Sequence, residues 1–301
     1  MSGFQEVVVH VNDEAISGQA VELAAALAAE SGATLTALLA AAPVNVGLSL
    51  SAESAALAQQ LEREQRASLR AIGERLAVAV QERHGVTIEL RLADGDPVEA
   101  LRAHARVADL LITSQRDPTR VGGLSTGQSA RLLVGSACPV LTVPHVGWSA
   151  TALTRRKSGI LCRALVAWAD TRESARALHD ALPLLERASQ VDLIQFVHAD
   201  QGDLSSIRES LDRVAGYLGK HGVAAVAKVV SQAEPSQGER MLRSGTPDIA
   251  VAEALLSHAT DIDADLIVMG GYGHTRLWEL VLGGVTRTML ETMTIPVLMS
   301  H

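Results

Sequence analysis

One pattern of strands and helices occurs twice in this chain, and the repeat limits its fold more than any other feature. In each half, short apolar strands alternate with helical segments, which predicts a mostly parallel sheet with helices on both faces. Val11 and Trp168 end matching strands, VVHV and LVAW, 157 residues apart, and two Pro-Val-Leu sequences starting at Pro139 and Pro296 have the same separation. We therefore predict two tandem α/β domains, 1–146 and 158–301, with a polar linker between them.

The repeats differ in their middle parts. The sequence His-Gly-Val starts at His84 in the first half and at His221 in the second, a separation of only 137 residues. The second helix of the second half is therefore about 20 residues shorter. A polar insertion, 231–246, then follows the third strand of that half. The insertion is either a lid that brings Arg240 and Arg243 to a phosphate or a plain loop.

Composition excludes several classes of protein. The chain has 301 residues, enough for two domains of about 150. Because 48% of the residues are hydrophobic but only 2% aromatic, the cores must consist of Ala, Val and Leu. A net charge of −8 without a long basic cluster argues against nucleic acid as a partner. Residues 1–20 lack an uncharged apolar core, and no uncharged apolar run reaches membrane-spanning length, so we expect a cytoplasmic protein without a membrane partner.

The segment 264–301 contains the strongest candidate for a binding site. An apolar strand, ADLIVMG, ends in a glycine-rich turn from Gly270 to Gly273, and a helix and a last strand follow. A glycine loop between a strand and a helix collects free N–H groups and the positive end of the helix dipole, which suits a phosphate. The same loop also fits a purely structural turn, and the sequence leaves both interpretations open.

The spacing of these glycines resembles that of the universal stress protein family. Gly270 and Gly273 are followed, after nine residues, by Gly283, all between VMG and a terminal PVLM strand, and the resemblance covers nearly the whole chain twice. It implies α/β domains, each a doubly wound five-stranded parallel sheet of order 3-2-1-4-5. It also implies that the domains pair through their last strands, Pro139–Val143 and Pro296–Met299. A homodimer and unidentified protein partners are further expectations.

Some members of this family bind ATP or related adenine nucleotides, and the resemblance implies such a site in the second domain. An Asp or Asn usually follows the first strand in these members, and a Ser or Thr follows the third glycine. Here Ala169, with Asp170 beside it, and Gly284 stand at those positions, so Thr286 or Thr288 would have to supply the hydroxyl. Magnesium would accompany ATP mainly through phosphate oxygens. The predicted nucleotide-binding residues are Ala169, Asp170, Val230, Gly270, Gly271, Gly273, His274, Gly283, Gly284, Val285 and Thr286.

The first domain departs further from the pattern. Asn12 stands where the base-binding residue would be, but the glycine positions fall on Thr113, Arg116 and Thr126. Gly122-Gly123 lies in the middle of the loop, out of register. Bulky side chains at 113 and 116 would keep a phosphate from the backbone N–H groups. We therefore expect no nucleotide in the first domain.

Two functional hypotheses result. The first is a stress-response protein that binds an adenine nucleotide in its second domain and acts through changes of conformation or partner. The alternative is a scaffold of the same fold that binds no nucleotide. A dinucleotide fingerprint is disfavoured because the loop follows a fourth strand, and no nucleophile elbow occurs, so we expect no enzyme beyond a slow, incidental ATPase. Trp168 could line the pocket or belong to the core, and His274 and Arg276 could face phosphate or solvent.

Overall fold

The computed structural model describes residues 3–42, 52–120, 122–146, 161–198, 204–232, 247–271 and 284–301. These residues form ten strands and eight helices. They divide into two compact units, Gly3–Cys138 and a second that contains Pro139–His301. None of the described helices is long and apolar enough to cross a membrane.

The first unit is a four-stranded parallel sheet of order β3-β2-β1-β4. Helices α1 and α2 pack on each other, and so do α3 and α4, as right-handed crossovers on opposite faces require. The elements in chain order are β1 (Glu6–Val11), α1 (Glu14–Ser31), β2 (Thr34–Leu39), α2 (Ala52–His84), β3 (Ile88–Leu92), α3 (Pro97–Ala105), β4 (Leu110–Ser114) and α4 (Thr126–Gly135).

The second unit has the strand order β5-β10-β9-β6-β7-β8. Its strands are parallel except for β5, which pairs antiparallel with β10, so that Leu141 lies opposite Leu298. The elements are β5 (Val140–Val143), β6 (Arg163–Ala167), α5 (Arg172–Leu185), β7 (Gln190–His198), α6 (Ser205–Lys220), β8 (Ala225–Gln232), α7 (Pro247–Asp261), β9 (Leu266–Gly270), α8 (Gly284–Thr292) and β10 (Val297–Ser300).

The predicted topology is confirmed. The five strands of the second repeat, read outward from β8, have the order 3-2-1-4-5. The expected pairing of the two last strands is found between β5 and β10. Because of this pairing, the boundary between the compact units lies before β5, at Cys138, although the sequence repeat extends to about residue 146.

Local signals explain where the helices begin and end. Asp13 precedes α1, and its carboxylate accepts from the N–H groups of Ala15 at 2.9 Å and Ile16 at 3.1 Å. Gly32 ends the same helix in the left-handed region, at φ 71°, which a residue without a Cβ adopts without strain. The sequence predicts both ends because these signals act within a few residues.

Small side chains form much of the core between α1 and the sheet. The segment Ala24–Ala28 of α1 is completely buried, as are Leu35, Leu111 and Ile112 of the strands. Alanine allows a helix to approach a sheet closely, so a chain with few aromatic residues can still form a close-packed core. The composition and the packing therefore agree.

The end of α2 is fastened to α1 by one carboxylate. Glu22 is buried among apolar neighbours, and it binds Nη1 of Arg83 and Nε2 of His84, each at 2.8 Å. A buried carboxylate needs such partners because desolvation without them is unfavourable. His84 thus has a structural role.

His10, on β1, is buried beside the backbone. Its Nε2 donates to the carbonyl oxygen of Ala40 at 2.9 Å. Burial lowers the pKa of His10 below the ordinary value of 6.5, although the hydrogen bond to Ala40 opposes this shift. The folded protein therefore keeps this imidazole neutral at pH values where the unfolded chain binds a proton.

We expect this difference to make the free energy of unfolding depend on pH. As pH falls through 6.5, the wild type should lose stability relative to a His10→Gln variant, by up to roughly 1 kcal/mol between about pH 7.5 and 5.5, because only the unfolded His10 takes up a proton. Urea unfolding followed by circular dichroism at both pH values measures the effect. Glutamine keeps a donor for Ala40, and a parallel loss of stability in both proteins would contradict the expectation.

Candidate functional site

The candidate site lies at the carboxyl edge of β6 and β9. The two strands are parallel neighbours, with Ala167 opposite Met269, so Ala169 and Gly271 follow at the same edge. The chain leaves β6 toward β7 and leaves β9 toward β10, in opposite directions across the sheet. Ligands of doubly wound sheets bind at such a switch point.

The turn after β6 is organised by Ser174. Its Oγ accepts from the N–H of Ala169 at 3.3 Å, and its own N–H donates to Oγ1 of Thr171, the N-cap of α5. Ser17 does the same in the first repeat, where its Oγ accepts from the N–H of Asn12 at 3.2 Å. The two serines are 157 residues apart, so the repeat preserves the turn although residue 169 has no polar side chain.

Gly270 is required by packing against α5. A Cβ at this position would lie 2.6 Å from the backbone nitrogen of Ser174 and 2.8 Å from the carbonyl carbon of Glu173, closer than Cβ atoms approach such neighbours in real proteins. The end of β9 therefore contacts the first turn of α5 directly. This contact explains the first glycine of the loop without any ligand.

Gly271 is held at the same edge by β10 and the residue after it. Its N–H donates to the carbonyl oxygen of Ser300 at 2.8 Å, and its carbonyl accepts from Nδ1 of His301 at 3.0 Å. The hydroxyl of Ser300 is buried and has no hydrogen-bond partner within the described residues. A buried hydroxyl at the carboxyl edge is thus left for a water molecule or a ligand.

The remaining predicted nucleotide-binding residues do not all lie at this edge of the sheet. Gly284 and Val285 begin α8 and are half-buried, whereas Thr286 is buried and already has an interaction partner. Val230 lies on β8, and β6 and β7 separate that strand from β9, a lateral distance of about 14 Å. Gly273, His274, Gly283, Arg276 and most of the insertion, including Arg240 and Arg243, lie outside the described residues.

In the first repeat, the equivalent edge is covered by its own loop. Gly122 and Gly123 have φ values of 120° and 74°, and a Cβ on Gly122 would lie 3.3 Å from Nδ2 of Asn12. Thr113 is buried and Arg116 is exposed, so the two side chains expected to exclude a phosphate face different environments. The loop glycines thus lie close to the side chain of Asn12, the residue at the position of the base-binding residue.

The start of α4 is also satisfied internally. Ser125 and Gln128 form a capping box, in which Oγ of Ser125 accepts from the N–H of Gln128 at 3.2 Å and Oε1 of Gln128 accepts from the N–H of Ser125 at 2.9 Å. These groups are therefore not available to an anion.

The structure also reveals a cleft that the sequence does not indicate. Trp168 lines this cleft, and its Nε1 donates to Oγ of Ser210 on α6 at 3.1 Å. Asp170 lines the same cleft between α5 and α6, but Gly270 does not. Helical periodicity places Ser210 on the inner face of α6, yet only the fold shows that it meets a tryptophan 42 residues earlier.

A buried carboxylate joins β7 to the edge strand β8. Asp192 is only 1% exposed, and it accepts from Nζ of Lys228 at 2.6 Å and from Nε2 of Gln190 at 2.7 Å. Burial alone would raise the pKa of Asp192, but these hydrogen bonds and the charge of Lys228 outweigh it, so the pKa lies below its ordinary value. The described residues contain no group of three His, Cys, Asp or Glu side chains that could hold a metal ion.

The packing of Gly270 generates a test. We expect Gly270→Ala to lower the free energy of unfolding by roughly 1–3 kcal/mol, because the new methyl group displaces the first turn of α5. Gly216→Ala is the matched control: Gly216 lies inside α6, and a Cβ there would have no atom within 4 Å, so alanine should stabilise the helix by about 0.5–1 kcal/mol. Urea midpoints measure both changes. A Gly270→Ala protein as stable as the wild type would exclude the proposed close contact.

Known proteins resemble this chain over its whole length. The family model described as the universal stress protein family matches residues 3–144 and 163–301. A universal stress protein from Archaeoglobus fulgidus DSM 4304 superimposes with a TM-score of 0.60 at 16% identity, covering 100% of this chain and 98% of that one. A putative universal stress protein from Pseudomonas aeruginosa UCBPP-PA14 gives a TM-score of 0.55 at 18% identity, covering 99% of this chain and 94% of that one.

One curated protein shares a shorter stretch. The stress response protein NhaX of Bacillus subtilis (strain 168) is 33% identical over 76 residues, which cover 25% of this chain and 43% of the relative. The alignment therefore includes less than half of that protein's length. Because the family model matches both repeats, the chain belongs to the universal stress protein family.

Proposed function

We propose that the second repeat binds an adenine nucleotide, ATP or AMP, at the carboxyl edge of β6 and β9, and that binding changes the partner or oligomeric state of a cytoplasmic stress-response protein. The phosphates would lie at the start of α8, near Gly271, Gly284 and Val285. Gly273, His274, Gly283 and Thr286 complete the predicted phosphate loop, and Ala169, Asp170 and Val230 remain the predicted residues on the base side. Magnesium would bind mainly through the phosphates.

The difference between the two helix starts is the main support. In the first repeat, Ser125 and Gln128 cap α4. The residues 157 positions later are Leu282 and Val285, and Gly283 directly precedes α8. None of these three has a side-chain acceptor, so the capping box of the first repeat has no equivalent at these positions, and the N–H groups of a helix start there would need another partner. A phosphate supplies that partner and also interacts favourably with the positive end of the helix dipole.

The alternative function, a scaffold without nucleotide, has its own support. Gly270 is explained by packing against α5, and Gly271 is held by Ser300 and His301. Two of the loop glycines therefore have structural reasons that do not involve a ligand. We propose that any hydrolysis of ATP is slow and incidental, since no residue of the site is assigned as a general base.

Direct measurement separates the two functions. The purified protein is denatured, its supernatant is chromatographed for nucleotide, and ATP is titrated calorimetrically into the refolded or nucleotide-free protein. We expect saturable binding of one ATP per chain, because the capping box of Ser125 and Gln128 already occupies the helix start of the first repeat, whereas the equivalent positions of the second lack such side chains. Two ATP molecules per chain would contradict the assignment to one repeat, and no binding at millimolar ATP would favour the scaffold.

Replacing Gly283 tests the position of the phosphates. Asparagine and aspartate cap helices about equally well, but only aspartate adds a negative charge. We expect Gly283→Asn to weaken ATP binding by about tenfold and Gly283→Asp to weaken it further, because the cap occupies the N–H groups and the carboxylate repels phosphate. Calorimetric titration of both variants measures the loss.

The matched control lies in the first repeat. Ser125→Ala removes the cap of α4 and should lower stability by about 1 kcal/mol, while ATP binding stays as in the wild type. If both Gly283 variants bind ATP like the wild type, the phosphates do not bind at the start of α8.

A further inference from the structure

The cleft between α5 and α6 has the form of a small binding site. It holds about 160 Å³, less than the roughly 300–1,000 Å³ of drug-sized ligand sites, so it leaves room only for a ligand of a few heavy atoms. Leu178 of α5 and Val214 of α6 form a buried apolar floor. Gly270 and Gly271, the described part of the glycine loop, do not line this cleft.

Two aromatic rings line the cleft. Trp168 is fixed by its hydrogen bond to Ser210 on α6. Tyr217 lies two turns further along α6 and packs beside His179 and His221, with ring centroids 5.0 Å and 4.7 Å away. The whole chain contains only three tryptophans and two tyrosines, and one of each lines this cleft, which makes it the richest aromatic surface that the described residues offer.

The unpaired charge at the mouth is negative. The guanidinium of Arg213 is paired with Glu209, its Nη1 lying 3.2 Å from Oε1. Asp170, in contrast, is exposed and makes no hydrogen bond or ion pair with any part of the chain that the structure describes. A carboxylate beside two aromatic rings attracts a cation, because the ring faces carry partial negative charge.

We propose that this cleft binds a small organic ammonium ion, held by the carboxylate of Asp170 and the rings of Trp168 and Tyr217. The methyl or methylene groups around the nitrogen would pack on the floor formed by Leu178 and Val214. An organic anion fits less well, since Arg213, the guanidinium among the described lining residues, already has a carboxylate partner. The proposal does not depend on whether a nucleotide binds at the glycine loop.

Three probes of one shape test it: choline, the neutral 3,3-dimethylbutan-1-ol and the anion 3,3-dimethylbutanoate. They are titrated without nucleotide, at constant ionic strength, into a full-length Trp148→Phe, Trp278→Phe protein in which Trp168 is the remaining tryptophan. We expect a saturable change of Trp168 fluorescence with choline and binding at least about tenfold weaker for the other two. Calorimetry with the wild-type protein repeats the comparison without the tryptophan replacements.

Variants then assign the binding to named groups. Asp170→Asn should weaken choline binding about tenfold, whereas Asp212→Asn, which removes the same charge from α6 outside the cleft, should change it less than about twofold. Tyr217→Leu should weaken binding about three- to tenfold, and Tyr217→Phe, which keeps the ring, should not.

Several results would overturn the proposal. They are equal binding of the neutral alcohol, tighter binding of the anion, unchanged affinity in Asp170→Asn, and no saturable signal by either method. If Asp170→Asn does not fold, the comparison of the three probes on the parent protein decides the question alone.

Discussion

The second repeat depends on the contact between the end of β9 and the first turn of α5. Gly270 permits this contact because any side chain there would overlap the backbone of Ser174. The hydroxyl of Ser174 in turn holds the N–H of Ala169 after β6. The ends of β6 and β9 are thereby fixed to the start of α5, at the point where the strand order of the sheet reverses. The edge at which we propose a nucleotide is therefore preorganised by packing, before any ligand contributes energy.

The two repeats have similar carboxyl edges, but the polar groups at these edges have different hydrogen-bond partners. Ser17 and Ser174 perform the same task in both repeats. The helix after the fourth strand is capped by side chains in the first repeat, whereas Leu282 and Val285, at the equivalent sequence positions of the second, have no side-chain acceptor. The first repeat therefore satisfies these N–H groups itself, and the anion site that we propose lies in the second.

The helix pair that follows the first two strands also differs between the repeats. In the first repeat the helix after β2 is 33 residues long, and Glu22 fastens its end to α1. The corresponding α6 has 16 residues, and the cleft lined by Trp168 and Tyr217 lies between it and α5. A change in helix length and in inter-helix contacts has thus given the second repeat an additional concave surface.

The repeat, the α/β class and most element boundaries can be predicted from the amino-acid sequence, because they follow from local signals. The helix 126–135 and the cap at Asp13 are examples, since apolar periodicity and capping act over a few residues. The family resemblance also indicated the strand order. The folded chain was needed to explain why Gly270 is glycine, that Glu22 binds His84, and that Trp168 meets Ser210. These contacts join residues 42 or more positions apart, or a strand end to a helix backbone, and such pairs leave no periodic signal in a single sequence.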